Sequence, residues 1–78
     1  MNVEILKQLE EIIHDYKGSK DLQISEDSSL IRDLELSSLD IINLVGIIED
    51  TFNIEIDDLS LASMRTVKDV VEYIQNNK

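Results

Sequence analysis

The sequence predicts an all-α fold: a small helical bundle of three main helices plus one short helix, with a long loop between the first and second helices. Three observations carry this. Proline is absent and glycine occurs only at Gly18 and Gly46, so the residues that break helices are almost missing. Apolar residues recur at helical spacing in three separate segments. Each segment has a start or stop signal of its own. Each predicted helix is apolar on one side only, so the helices must bury those sides against one another. A chain of 78 residues suits a single domain, residues 1–78.

The first helix is predicted from Ile5, Leu6, Leu9, Ile12, Ile13 and Tyr16, with Lys17 and Gly18 as a basic last turn and a glycine stop. His14 falls opposite this stripe and is expected to be a solvated surface residue. Residues 19–36 lack periodicity, and the run SEDSS (25–29) is loop chemistry. Yet Leu22, Ile24, Leu30, Ile31, Leu34 and Leu36 are apolar, so the segment reads as a packed loop with room for one helical turn near 28–33. A connection this long in a small domain is often functional. The second helix is expected over 38–52, with Ile41, Leu44, Val45, Ile48 and Phe52 inward and Ile42 at the edge of that arc. Asp40, Asn43, Glu49, Asp50 and Thr51 face the other way, with Gly46, Leu39 and Ile47 among them. Two apolar residues ringed by acids suit a docking surface: charge steers a basic partner and the apolar pair anchors it.

In NIEIDDLSLASM (53–64), Ile54 and Ile56 alternate as in a strand, but nothing nearby would pair with them. Asp57 or Asp58 can cap a short helix with Leu59, Leu61 and Ala62 on its face. The last helix is capped by Thr66 with Asp69 as its box partner, and its stripe is Val67, Val70, Val71 and Ile74. Tyr73 edges the core, and QNNK is expected to fray.

The net charge of −10, from 17 acids against 7 bases, argues against binding nucleic acid. It suits basic protein surfaces or cations as partners. Absence of cysteine excludes disulfides and thiolate zinc sites. The acids Glu55, Asp57 and Asp58 lack the spacing of a calcium loop, so no metal site is expected. Met1 is followed by Asn2, Val3 and Glu4 rather than by a basic stretch and an apolar run. No signal peptide and no membrane span is read, and a cytoplasmic monomer is expected. No nucleophile–base arrangement or phosphate loop is present, so the chain is expected to be a non-enzyme.

One feature of ELSSLDIINLV (35–45) is unusual: two serines open the second helix. Ser37 suits the N-cap, with Asp40 closing a capping box. Ser38 then has no capping duty. It stands at the first helical position, where free N–H groups and the helix dipole favour a phosphodiester.

Here the chain resembles the acyl carrier protein family. The family's Asp-Ser-Leu-Asp signature, after an Asp-Leu-Gly-type loop, stands as DLELSSLDIINLV (33–45). The resemblance continues through IEDTFNIEIDD (48–58) and TVKDVVEYI (66–74). It implies that Ser38 receives 4′-phosphopantetheine from coenzyme A through a separate phosphopantetheinyl transferase. The terminal thiol would then carry acyl groups as thioesters for fatty-acid or related synthesis, and the bundle would shelter the chain. Leu39, Asp40, Glu49 and Asp50 match the family's recognition residues for acyl-processing enzymes with basic patches; Ile56 and Asp58 match more loosely. Three positions depart from the pattern: Ser37 replaces the usual acid, and Asn43 and Gly46 replace an acid and a bulky apolar residue. The alternatives are an aminoacyl or peptidyl carrier and an unmodified acidic docking domain.

Overall fold

A computed structural model describes residues 2–78. Four helices follow in order: α1 (Val3–Lys17), α2 (Ser38–Phe52), α3 (Asp58–Ser63) and α4 (Val67–Asn77). Among the described residues there is no strand, only one isolated antiparallel bridge between Ser29 and Thr66. The Ile54–Ile56 stretch stays unpaired. Helix α1 packs against α2 and α4.

The helix ends follow from local chemistry. Asn2 starts α1, its side chain accepting from the N–H groups of Glu4 and Ile5 at 3.0 and 3.2 Å. Gly18 ends α1 with φ 71°, in the left-handed region that glycine enters without a Cβ clash. Asp57, rather than Asp58, caps α3. Capping boxes open both α2 and α4, the second formed by Thr66 and Asp69.

One core cluster holds the bundle. Ile5, Leu9 and Ile13 of α1 meet Leu44, Ile48 and Phe52 of α2 and Val67, Val70, Val71 and Ile74 of α4. Leu30, Leu34 and Leu36 bring the long loop into the same cluster. Burying a side chain of this size contributes about 1.5–3 kcal/mol. The loop is also paired to the start of α4. Val67 N–H donates to the Ser28 carbonyl at 3.1 Å and Lys68 N–H to that of Glu26 at 2.9 Å. Buried Ser28 accepts from the Ser25 N–H at 3.0 Å through its hydroxyl. One hydrogen-bonded turn does form near 28–33, with the Ser29 carbonyl accepting from the Asp33 and Leu34 N–H groups at 3.0 Å.

Four expectations are corrected. His14 is half-buried, its Nε2 2.8 Å from the Leu22 carbonyl, because the loop folds back over that side of α1. Ile42 is 61% exposed and so lies outside the core arc. The short α3 buries none of its residues: Leu59 is 86% exposed and Leu61 half-buried, because a six-residue helix cannot lay a continuous stripe on the bundle. Finally, α4 holds its form to Asn77, whose side-chain amide donates to the Tyr73 carbonyl at 2.8 Å.

Candidate functional site

The two serines at the start of α2 separate as the sequence predicts. Ser37 is extended (φ −81°, ψ 171°), and its Oγ accepts from the Asp40 N–H at 3.1 Å. Asp40 Oδ2 accepts from the Ser37 N–H at 2.9 Å, which closes the box. Ser38 is the first residue of α2 and is exposed. Its hydroxyl is accessible beside the positive end of the helix.

Asp40 has a second attachment, which the sequence did not reveal. Its Oδ1 accepts from the Tyr16 hydroxyl at 2.8 Å, and that hydroxyl oxygen accepts from Asn43 Nδ2 at 3.0 Å. The last turn of α1 therefore holds the first turns of α2. The Ser37 N–H and then the Tyr16 hydroxyl keep the Asp40 carboxyl below its ordinary value. The loop before α2 is tied down as well: Lys17 Nζ donates to the Glu35 carbonyl at 3.4 Å. Glu35 itself has φ 54°, the left-handed region where the resembled Asp-Leu-Gly loop has its glycine.

The expected recognition residues fall into two groups. Leu39 (66% exposed), Asp50 and Asp58 are open to a partner, as are Ile42 and Ile47. Asp40, Glu49 and Ile56 are half-buried and in structural use. Glu49 Oε2 accepts from the Ile56 N–H at 2.8 Å, which closes the turn after α2. Ile56 packs on the core and lines a small cavity of about 30 Å3 with Leu44, Ile48, Leu61, Met64 and Val70. The walls of this cavity are apolar and it has room for about one water. Among the described residues, no group of three or more His, Cys, Asp or Glu side chains is placed to hold a metal.

A family model described as "Phosphopantetheine attachment site" matches residues 5–74. The chain belongs to the acyl carrier protein family. It is 38% identical over 72 residues to an acyl carrier protein of Thermotoga maritima, covering 92% of this chain and 89% of the relative. An acyl carrier protein of Wolinella succinogenes is 36% identical over 74 residues, covering 95% and 97%. The meromycolate extension acyl carrier protein of Mycolicibacterium smegmatis is 38% identical over 72 residues, covering 92% and 73%. A crystal structure of the Thermotoga maritima acyl carrier protein superposes with a TM-score of 0.81 at 30% identity, covering 94% of this chain and 85% of that one. The helical bundle is thus the acyl carrier fold. The prosthetic group of such a carrier is 4′-phosphopantetheine, held covalently. No helix among the described residues of this carrier is long and apolar enough to cross a membrane.

Proposed function

We propose that Ser38 is the attachment residue and that the protein is a cytoplasmic carrier of acyl thioesters without catalytic activity of its own. The observation that carries this reading is the division of labour at the start of α2. Ser37 caps the helix, so the exposed Ser38 hydroxyl can be modified without loss of the cap. The free N–H groups of the first turn and the helix dipole favour the phosphodiester charge at that position. When attached, 4′-phosphopantetheine supplies a terminal thiol that holds acyl groups as thioesters.

The apolar cavity supports sheltering of a chain in the bundle only with movement, since about 30 Å3 admits little. Its outer wall includes Leu61 of α3, the helix with no buried residue, and this wall can shift at small cost. For partners, the open face of Leu39, Ile42, Ile47 and Asp50 fits a phosphopantetheinyl transferase and acyl-processing enzymes with basic, partly apolar docking patches. Asp58 extends that face onto α3.

The test is the intact mass after incubation with coenzyme A, magnesium and a broad-specificity phosphopantetheinyl transferase. One phosphopantetheine should add to the wild type and none to Ser38→Ala. Equal addition to both would move the site elsewhere. No addition to a folded wild type would leave an unmodified docking domain.

A further inference from the structure

The last turn of α1 grips the chain on both sides of Ser38. Before it, Lys17 Nζ donates to the Glu35 carbonyl at 3.4 Å. After it, the Tyr16 hydroxyl donates to Asp40 Oδ1 at 2.8 Å, while Asp40 Oδ2 accepts from the Ser37 N–H at 2.9 Å. One carboxylate thus closes the capping box around Ser38 and ties that box to α1. Ser38 is exposed, so its hydroxyl is aimed by this backbone rather than by packing.

The grip depends on where one proton goes. A tyrosine hydroxyl has a single proton to donate, and an ionised carboxylate only accepts. Asp40 takes that proton, so a second neighbour of the hydroxyl oxygen must be a donor. Asn43 is one: its Nδ2 donates to the Tyr16 oxygen at 3.0 Å. A carboxylate at position 43 would compete with Asp40 for the proton, and the two charges would repel each other one turn apart on the helix. Asn43, placed by its helical angle on the outer face of α2, therefore also serves the tether between α1 and α2.

We propose that Tyr16 and Asn43 are positioning residues for the modification of Ser38, acting through Asp40. This rests on Ser38 being the attachment residue. In the transfer, Ser38 Oγ bonds to the phosphorus of coenzyme A that carries the pantetheine. The bond from that phosphorus to the bridging oxygen breaks, the adenine nucleotide leaves with the electron pair, and the hydroxyl proton passes to a base of the transferase. The attacking and leaving oxygens must lie roughly in line, and a displacement of about 1 Å costs on the order of 10²-fold in rate. The tether fixes the Ser38 end of that line. It does not touch Leu39, Ile42, Ile47 or Asp50 on the open face, so its loss slows the step within the complex and leaves the affinity unchanged.

The experiment follows single turnovers by intact mass, with the unmodified protein, coenzyme A, magnesium and a broad-specificity phosphopantetheinyl transferase in varied excess. Tyr16→Phe should lower the maximal rate about tenfold and keep the half-saturating transferase concentration within about twofold. Asn43→Asp should do the same. The double variant should be no slower than Tyr16→Phe alone, because both changes act on one hydroxyl. Asn43→Asp should also quicken amide exchange at residues 38–40, as loss of the hydroxyl does. Ile74→Val, a core change in α4 of similar cost to stability, should keep the wild-type rate. A wild-type rate in Tyr16→Phe overturns the proposal. So does an equal loss in Ile74→Val, which would reduce the effect to stability. So does a further loss when Asn43→Asp is added to Tyr16→Phe, or a raised half-saturating concentration, either of which would make Asn43 a direct contact to the transferase. Absence of any mass gain in the folded wild type defeats the Ser38 reading itself, and the proposal falls with it.

Discussion

Ser37 and Ser38 present the same hydroxyl to two different environments, one closed by Asp40 and one open. Ser37→Ala should destabilise the protein by about 1 kcal/mol in chemical denaturation, the usual cost of a lost N-cap. It leaves the Ser38 hydroxyl in place. Ser38→Ala should change stability by less than about 0.5 kcal/mol, as a surface change away from a cap. The reverse ranking would exchange the two roles. The cap at Ser37 and the open first position of Ser38 were legible in the sequence, because capping depends on residues three apart. Glu35 was less so. The resemblance puts a glycine type at its position, but only the backbone shows φ 54°. Glu35→Gly should therefore raise stability by about 0.5–1 kcal/mol, seen as a higher denaturation midpoint, because glycine enters the left-handed region without strain.

At the scale of elements, α2 is held at its start by α1 through Tyr16, Asp40 and Asn43. Tyr16→Phe keeps the ring in its place at the core edge and removes the hydroxyl. The expected loss is about 0.5–1.5 kcal/mol, with faster amide exchange confined to the first turns of α2. The sequence placed Tyr16 on an apolar stripe correctly. It could not show the hydroxyl reaching Asp40 24 residues away. Glu49 is a similar case: its helical angle put it among docking acids, while the turn after α2 uses its carboxylate to satisfy the Ile56 N–H. Gly46 is open, with nothing within 4 Å of a Cβ built there. Gly46→Ala should add about 0.5–1 kcal/mol, measured by the same denaturation, through helix propensity alone. If the alanine variant also loses affinity for a transferase, the glycine serves close approach by that partner.

For the whole molecule, the net charge of −10 repels itself in the compact state. Salt or divalent cations should raise the melting temperature; an unchanged melt between low and moderate salt would refute this. Acid acts in the opposite direction through the caps. Asp40, Asp57 and Asp69 all lie below their ordinary value, held first by N–H groups at Ser37, Ser60 and Arg65 respectively. Their folded pKa values are below the unfolded ones. Their contribution is therefore complete above the unfolded value of about 4 and is lost as pH falls through the lower folded values. The melting temperature should fall steeply below about pH 4, and less so in Asp69→Asn.

The sequence by itself determined the helices, their caps, the packed loop, the family resemblance and the serine at the head of α2. All of these rest on residues within a few positions of each other, where spacing and side-chain type decide the local energy. Tertiary structure decided which acids remain free, where His14 and Ser28 are held, and that Tyr16 and Lys17 of α1 hold the chain on either side of Ser38. Those outcomes depend on segments distant in the chain meeting across the core, and no local periodicity encodes that meeting.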